Sequence, residues 1–473
     1  ATSALARAGS HVGRCADDMV NGLVARETPI PRTILVTSTL PTRMAAVSHF
    51  VSEFAQACQT NDGERLFKCM ALDDESFYML QSALQSVSVG DVCDKALSLS
   101  SSMHTKRFTS LLHDTLEYTK SKPFVLNAYS HTGAYDAWVK VYSSMMSCFT
   151  LPETVWLLRA LKYVALQLVL LAIHMDNGPP YGKTIDAAGR LSKAAGLAAN
   201  DRSSLPGTCT KRAAVLKLAN LSFRAYFKLR NTRLCETVLG SVNNALLMNR
   251  QNDDSDPTGE ALYPVSERVT YHFYVGQIRL LQHRVQVAAQ HLHWAFDHCT
   301  NSHPHNKRKI LISLMAAQLI LGRYPHAVLL DQFHLRDTFG PMVHCHRLGH
   351  AVGVMSELER HREWLRTRGL YMLLREKLVL GLWRNLFQRC MRLNPHVDEA
   401  SNAPPTLPLA MLVGPARLAW NDNTLLLEDM ECMAANLVDQ GLMKAYILHS
   451  KSMIVLQRGP FRGFPPMSDV YQA

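Results

Sequence analysis

None of the 11 cysteines stands in a CxxC spacing with another. A thiolate zinc module and a regular disulfide framework are therefore excluded, and reduced, mostly buried thiols are expected. The sequence also lacks a Walker-type glycine-rich phosphate loop and a GxSxG nucleophile elbow, which leaves an enzyme reading without residues to carry it. Its greasiest run, residues 164–173, is ten residues long and falls short of the roughly 20 needed to cross a bilayer. A buried helix is expected there, and no membrane partner. Acidic residues are absent between positions 440 and 468.

What is present is a chain of 473 residues with a formal charge of +11, long enough for two or more packed units. The basic surplus is clustered. Residues 202–250 hold nine bases (Arg202, Lys211, Arg212, Lys217, Arg224, Lys228, Arg230, Arg233 and Arg250) against Glu236 alone, and residues 357–392 hold nine against four acids. Charge clustered in this way points to an anionic partner.

Along the chain, residues 1–45 show no sustained period and read as a flexible arm, although Arg7 and Arg14 without an acid in the first 15 residues also fit a transit peptide. Residues 46–250 read as helical repeats interrupted by a Ser-rich run at 84–102, with Trp138 and Tyr142 marking one buried face. An apolar helix over 152–175 ends at DNGPPYG, and helices follow near 183–199 and 210–229. Residues 251–260 are expected to be an exposed acidic loop. Residues 251–369 then open on three consecutive helices, near 269–281, 285–299 and after an N-cap at Asn306. Gly276, Ala288, Leu292 and Ala295 keep the spacing of a tetratricopeptide-like hairpin, in which small residues let two helices approach. One helix is expected over 343–367. In residues 370–473 the order is a helix at 370–393, a loop at 395–405, helices near 407–419 and 424–439, and strands at 442–448 and 453–457. The whole is an all-α solenoid closed by a winged helix.

Two basic surfaces stand out. Lys217, Arg224 and Lys228 fall at i, i+7 and i+11, one helical face, while Val215, Leu218, Leu221 and Phe227 can point inward. Lys444, Lys451, Arg458 and Arg462 occupy the acid-free wing. All seven side chains are expected to be exposed. The helix before the wing carries Asp422, Glu428, Asp429, Glu431 and Asp439 on itself or its approach, so it would repel phosphate, and docking in a major groove is not expected. The histidines at 291, 293, 298, 303 and 305, with His346 and His350 four apart, raise a metal-dependent hydrolase. No HExxH motif or cysteine pair completes a ligand set, so helix-surface histidines, no metal and no cofactor are expected.

The runs YP..ERVTY..Y.G, A...L..AF.HC and NKR.ILI.L, with FRAYFKLRNTRLC upstream and WRNLFQRC, ECMAANLVDQGLMKAYILHSKSMIVLQ and PF..FPPMSDV downstream, resemble the PCI-domain proteins over residues 215–473. More narrowly they resemble the PCI domain-containing protein 2 family, the PCI subunit of transcription-and-export complex 2. The resemblance implies a non-enzymatic scaffold of messenger RNA export, located in the nucleus at pores, with the cytoplasm as the alternative. It implies a GANP-type PCI scaffold as partner, joined winged helix to winged helix, a small acidic DSS-type protein, and single-stranded RNA or DNA on the basic surface. The other reading is an assembly subunit of a signalosome-like or proteasome-lid complex that binds no nucleic acid.

Overall fold

The computed structural model describes residues 40–98, 105–121, 133–176, 178–203, 210–253, 255–394 and 404–471. The transit-like first 15 residues, most of the expected arm and most of the 395–405 loop lie outside them. The described residues divide into two compact units between Tyr271 and His272. That division lies inside a helix, and residues on both sides of the expected 369/370 boundary share one unit.

Among the described residues the first unit contains α1 (Leu40–Thr60), α2 (Gly63–Met70), α3 (Asp74–Leu84), α4 (Val89–Ser98), α5 (Thr105–Ser121), α6 (Ala134–Phe149), α7 (Leu158–Met175), α8 (Gly182–Ala199), α9 (Val215–Lys228), α10 (Cys235–Asn252) and the start of α11 (Val265–Leu281). Aspartates begin two of them: Asp62 accepts the N–H groups of Glu64 and Arg65, and Asp73 that of Ser76, satisfying amides that a first turn leaves unpaired. The helix α4 corrects the reading of 84–102 as an interruption, because Val89 and Cys93 are spaced to bury one stripe despite the serines around them. Trp138 and Tyr142 are buried as expected, and the Trp138 indole donates to the Val164 carbonyl at 3.0 Å. The apolar stretch is longer than its greasiest run: Val155–Met175 has the length and composition of a membrane span. In the fold α7 packs against α2, α6, α8 and α9 and buries Leu161, Val164, Leu168 and Val169, which makes it a core helix.

The second unit continues α11 and adds α12 (Val285–His298), α13 (Pro304–Ile320), α14 (Ala327–Gln332), α15 (Arg336–Leu348), α16 (Ala351–Arg360), α17 (Arg362–Thr367), α18 (Tyr371–Leu393), β1 (Thr406–Pro408), α19 (Ala410–Trp420), α20 (Leu427–Asp439), β2 (Ala445–Leu448), β3 (Met453–Leu456) and α21 (Met467–Val470). The α11–α12 approach is as close as the small residues imply, since a Cβ on Gly276 would lie 2.5 Å from the Leu292 Cγ. The helix α13 starts at Pro304 with His303 as N-cap, not after Asn306, because proline at the first position has no N–H to leave unpaired. The single helix expected over 343–367 is three, broken at Gly349, whose φ of 71° is left-handed, and at His361. The three strands form an antiparallel sheet in the order β1-β3-β2, with Thr406 opposite Val455 and Tyr446 opposite the same residue. Trp383, Phe387, Leu437, Ile454 and Phe464 fill the core beneath it.

A buried polar chain ties this core to the helices before it. The Asn385 amide donates to the Tyr324 hydroxyl at 3.1 Å and to the His346 carbonyl at 2.9 Å, and the Tyr324 hydroxyl lies 2.9 Å from His346 Nδ1. Arg384 donates to Asn385 Oδ1 and to the carbonyls of Phe464 and Pro465 at 3.1 and 2.6 Å. His346 is therefore no surface histidine: it is 0% exposed. Burial, with the Arg384 charge adding to it, pushes its pKa from 6.5 to about 4. The unfolded chain binds the extra proton first, so this contribution is complete above pH 6.5 and is lost as pH falls toward 4, by up to about 3 kcal/mol. Urea midpoints across that range should fall more steeply for the natural chain than for His346→Gln. Equal slopes would rule out His346 as the group responsible.

Candidate nucleic-acid interface

The wing is built by main-chain hydrogen bonds that fix where its bases stand. After β3 the chain turns back along the start of β2, the Gln457 N–H donating to the Lys444 carbonyl at 2.8 Å and the Lys444 N–H to the Gly463 carbonyl at 2.7 Å. Arg458 follows the first of these partners and Arg462 precedes the second. Lys444, Arg458 and Arg462 are thereby gathered at one corner. Lys451 stands at the other end of the hairpin, in the turn after β2, about 13 Å of strand away. Lys444, Lys451 and Arg458 are exposed, and Arg462 is half-buried with a φ of 43°. Among the described residues the first three form no ion pair.

The acidic helix α20 spends part of its charge locally. Asp429 accepts the Leu426 N–H at 2.8 Å, Asp422 accepts from the Thr424 N–H and hydroxyl, and Glu431 bonds the wing's His449 at 2.8 Å. These carboxylates start the helix and pin the hairpin turn to it, and they leave a surface that repels phosphate.

The second basic surface is corrected by the structure. Arg224 is 2% exposed, while Lys217 and Lys228 are half-buried. Helix α9 lies against α7, α8 and α10 and buries an almost continuous run from Val215 to Tyr226, so the spacing identified one face without showing that the face is covered. Burial pushes the Lys217 ammonium below its usual value, with Glu267 opposing. Glu267 in turn pairs with Lys162 at 2.7 Å. Arg212 is fully buried and donates to Asn249 Oδ1 at 2.8 Å and to the Ser203 carbonyl at 3.0 Å. The exposed bases of this stretch are Arg202, Arg230, Arg233 and Arg250, the first three outside the α-helices and the last in the final turn of α10.

Some of the bases at 357–392 are paired in place, although nine bases against four acids still leave the stretch positive. Arg360, Arg362, Arg366 and Arg375 lie 3.8, 3.5, 3.6 and 3.9 Å from Glu357, Glu359, Glu363 and Glu359. Among the histidines, His272 and His291 face each other at 2.7 Å through Nδ1, and His272 and His298 both stack on Trp294. Among the described residues no three His, Cys, Asp or Glu side chains are arranged to hold a metal ion. Sequence reasoning missed two exposed aromatics beside the basic corner, Tyr446 and Phe461; alternation along β2 could have found the first.

No family model matches the sequence. Individual relatives do. A PCI domain-containing protein of Schizosaccharomyces pombe is 30% identical over 339 residues, 68% of this chain and 73% of that protein. PCI domain-containing protein 2 of Danio rerio is 26% identical over 358 residues, 73% and 82%, and the protein CSN12 homolog of Gibberella zeae is 27% identical over 369 residues, 71% and 78%. Helical repeats closed by a winged helix, in a sequence with these relatives, define a PCI-domain protein. The chain belongs to the PCI domain-containing protein 2 family.

The burial contrast between the two basic groups yields a direct expectation. Arg224→Ala should lower stability by about 2 kcal/mol or more through lost packing of its buried side chain, whereas Lys444→Ala and Arg458→Ala should stay within about 0.5 kcal/mol. Urea unfolding of the single variants measures this, and a neutral Arg224→Ala would contradict the buried placement.

Proposed function

We propose that the chain is a non-enzymatic scaffold subunit of a nuclear messenger RNA export complex, acting at nuclear pores. In this reading its winged helix pairs with a GANP-type PCI scaffold, a small acidic DSS-type protein joins the assembly, and RNA or single-stranded DNA lies on the wing. The family resemblance supplies the export role and the protein partners. The observation that carries the nucleic-acid part is the wing itself: exposed Lys444, Lys451 and Arg458 in a stretch without an acid from 440 to 468. Contacts of this kind go to phosphates and carry no base sequence.

The winged helix also leaves apolar surface uncovered on α19 and just before α20, with Met411 37%, Leu418 80% and Leu426 55% exposed. Met411 and Leu418 lie seven residues apart, on one helical face, and such a stripe suits a protein partner. Leu418→Glu should leave the fold intact and reduce co-purification with a co-expressed GANP-type scaffold. Full recovery of the pair would remove α19 from the contact.

Replacing Lys444, Lys451 and Arg458 by Ala should weaken binding to unrelated single strands alike and lower the log–log salt slope by about 0.7 for each phosphate no longer neutralised. An unchanged slope in the folded triple variant would favour the second reading, an assembly subunit of a signalosome-like or proteasome-lid complex. That reading draws its support from the similarity to the CSN12 homolog.

A further inference from the structure

Two large rings stand in solvent where the wing's bases gather. Tyr446 is 59% exposed and Phe461 is 55% exposed. Single exposed apolar side chains are ordinary on protein surfaces, so their placement is what matters. Tyr446 is two residues from Lys444 along β2, and alternation puts the two side chains on the same face of the sheet, their Cα atoms about 7 Å apart. The cross-strand neighbour of Tyr446 on that face, Val455, is 4% exposed. Phe461 sits at the tip of the 457–463 loop, in a turn closed by the Arg462 N–H to Gly459 O at 3.0 Å and the Phe464 N–H to Phe461 O at 2.8 Å. Its Cα is two residues from Gly463, hence within about 7 Å along the chain of the point where the loop bonds Lys444. Both rings are therefore built into the same corner as Lys444, Arg458 and Arg462, and no acidic residue lies within the stretch that supplies them.

We infer that Tyr446 and Phe461 are base-stacking residues that make the wing select single-stranded over double-stranded nucleic acid. Cationic side chains meet the backbone phosphates of either form. An aromatic face adds binding only where a base offers its own face, and in a duplex those faces are already stacked on each other. Every base has such a face, so the selection is by strandedness and not by sequence. Charge complementarity decides for a polyanion as the occupant, since an apolar protein surface would gain nothing from the surrounding bases. The inference rests on the reading in which the wing binds nucleic acid.

The test uses the full chain, a labelled oligodeoxythymidine and a duplex of the same length, each titrated at several salt concentrations. Tyr446→Ala with Phe461→Ala should weaken oligodeoxythymidine binding by roughly tenfold for each ring removed, with the salt slope and the duplex affinity unchanged. Tyr446→Trp with Phe461→Trp should keep single-strand binding. Single-strand affinity that survives the double alanine variant would overturn the inference and assign the rings to a protein contact. A parallel fall in single-strand and duplex affinity would overturn it as well, because stacking cannot cause that. Should the unaltered chain bind neither probe, the underlying nucleic-acid reading fails, and that result is distinguishable from the other two.

Discussion

The guanidinium of Arg384, buried in the second unit, holds the wing to the helices behind it. Burial pulls its pKa down only to about 10, so it remains a cation at neutral pH, and a buried cation is tolerable only where hydrogen bonds replace its water. Arg384 finds them in the carbonyls of Phe464 and Pro465 and in Asn385. Those two carbonyls follow directly on Gly463, the residue whose own carbonyl accepts the Lys444 N–H. The position of the 457–463 loop, and with it of Arg458, Phe461 and Arg462, is thus set from both sides, by Lys444 at one end and by Arg384 behind the other. Asn385 carries the same chain onward to Tyr324 and His346. The surface corner and the buried network are two ends of one hydrogen-bonded path.

Net charge alone does not show which bases of this protein reach solvent. Of the three basic stretches, the one at 202–250 puts Arg212 and Arg224 in the core, and the one at 357–392 answers many of its arginines with glutamates one helical turn away. Exposed pairs of that kind contribute little to stability, but they offset part of the field a phosphate would feel. The wing has fewer bases than either stretch, but Lys444, Lys451 and Arg458 are exposed and form no ion pair among the described residues.

Elements with a strong period are legible in the chain's own residues. The order of α18, α19, α20 and two strands, the close approach at Gly276 and the burial of Trp138 follow from hydrophobic spacing and small residues. What escaped has physical causes. The strand β1 is only Thr406–Pro408, too short to show alternation and flanked by prolines, and it exists because β3 offers it an edge. Arg224 and His346 sit at positions where sequence favours solvent, and their burial is decided by helices distant along the chain. Tyr446 reads as a core aromatic by residue type, whereas alternation with Lys444 and the sheet's register turn it outward, opposite Val455 and away from Ile454 and Leu456.

The acidic helix and the basic hairpin restrict each other. The Glu431–His449 contact fixes the turn of the wing against α20, so the hairpin and its bases keep a set position next to carboxylates. A duplex presenting its major groove to α20 would bring phosphates against Glu428, Glu431 and Asp439, and at a few ångströms such like-charge contacts cost more than exposed bases can return. A flexible strand meets no such requirement. It can follow the edge of the sheet from the Lys444 corner toward Lys451 and keep its phosphates clear of the helix. On the proposed reading the fold would disfavour duplex docking by repulsion as well as by what the wing would offer a single strand, and discrimination of that double kind would be stronger than either part alone.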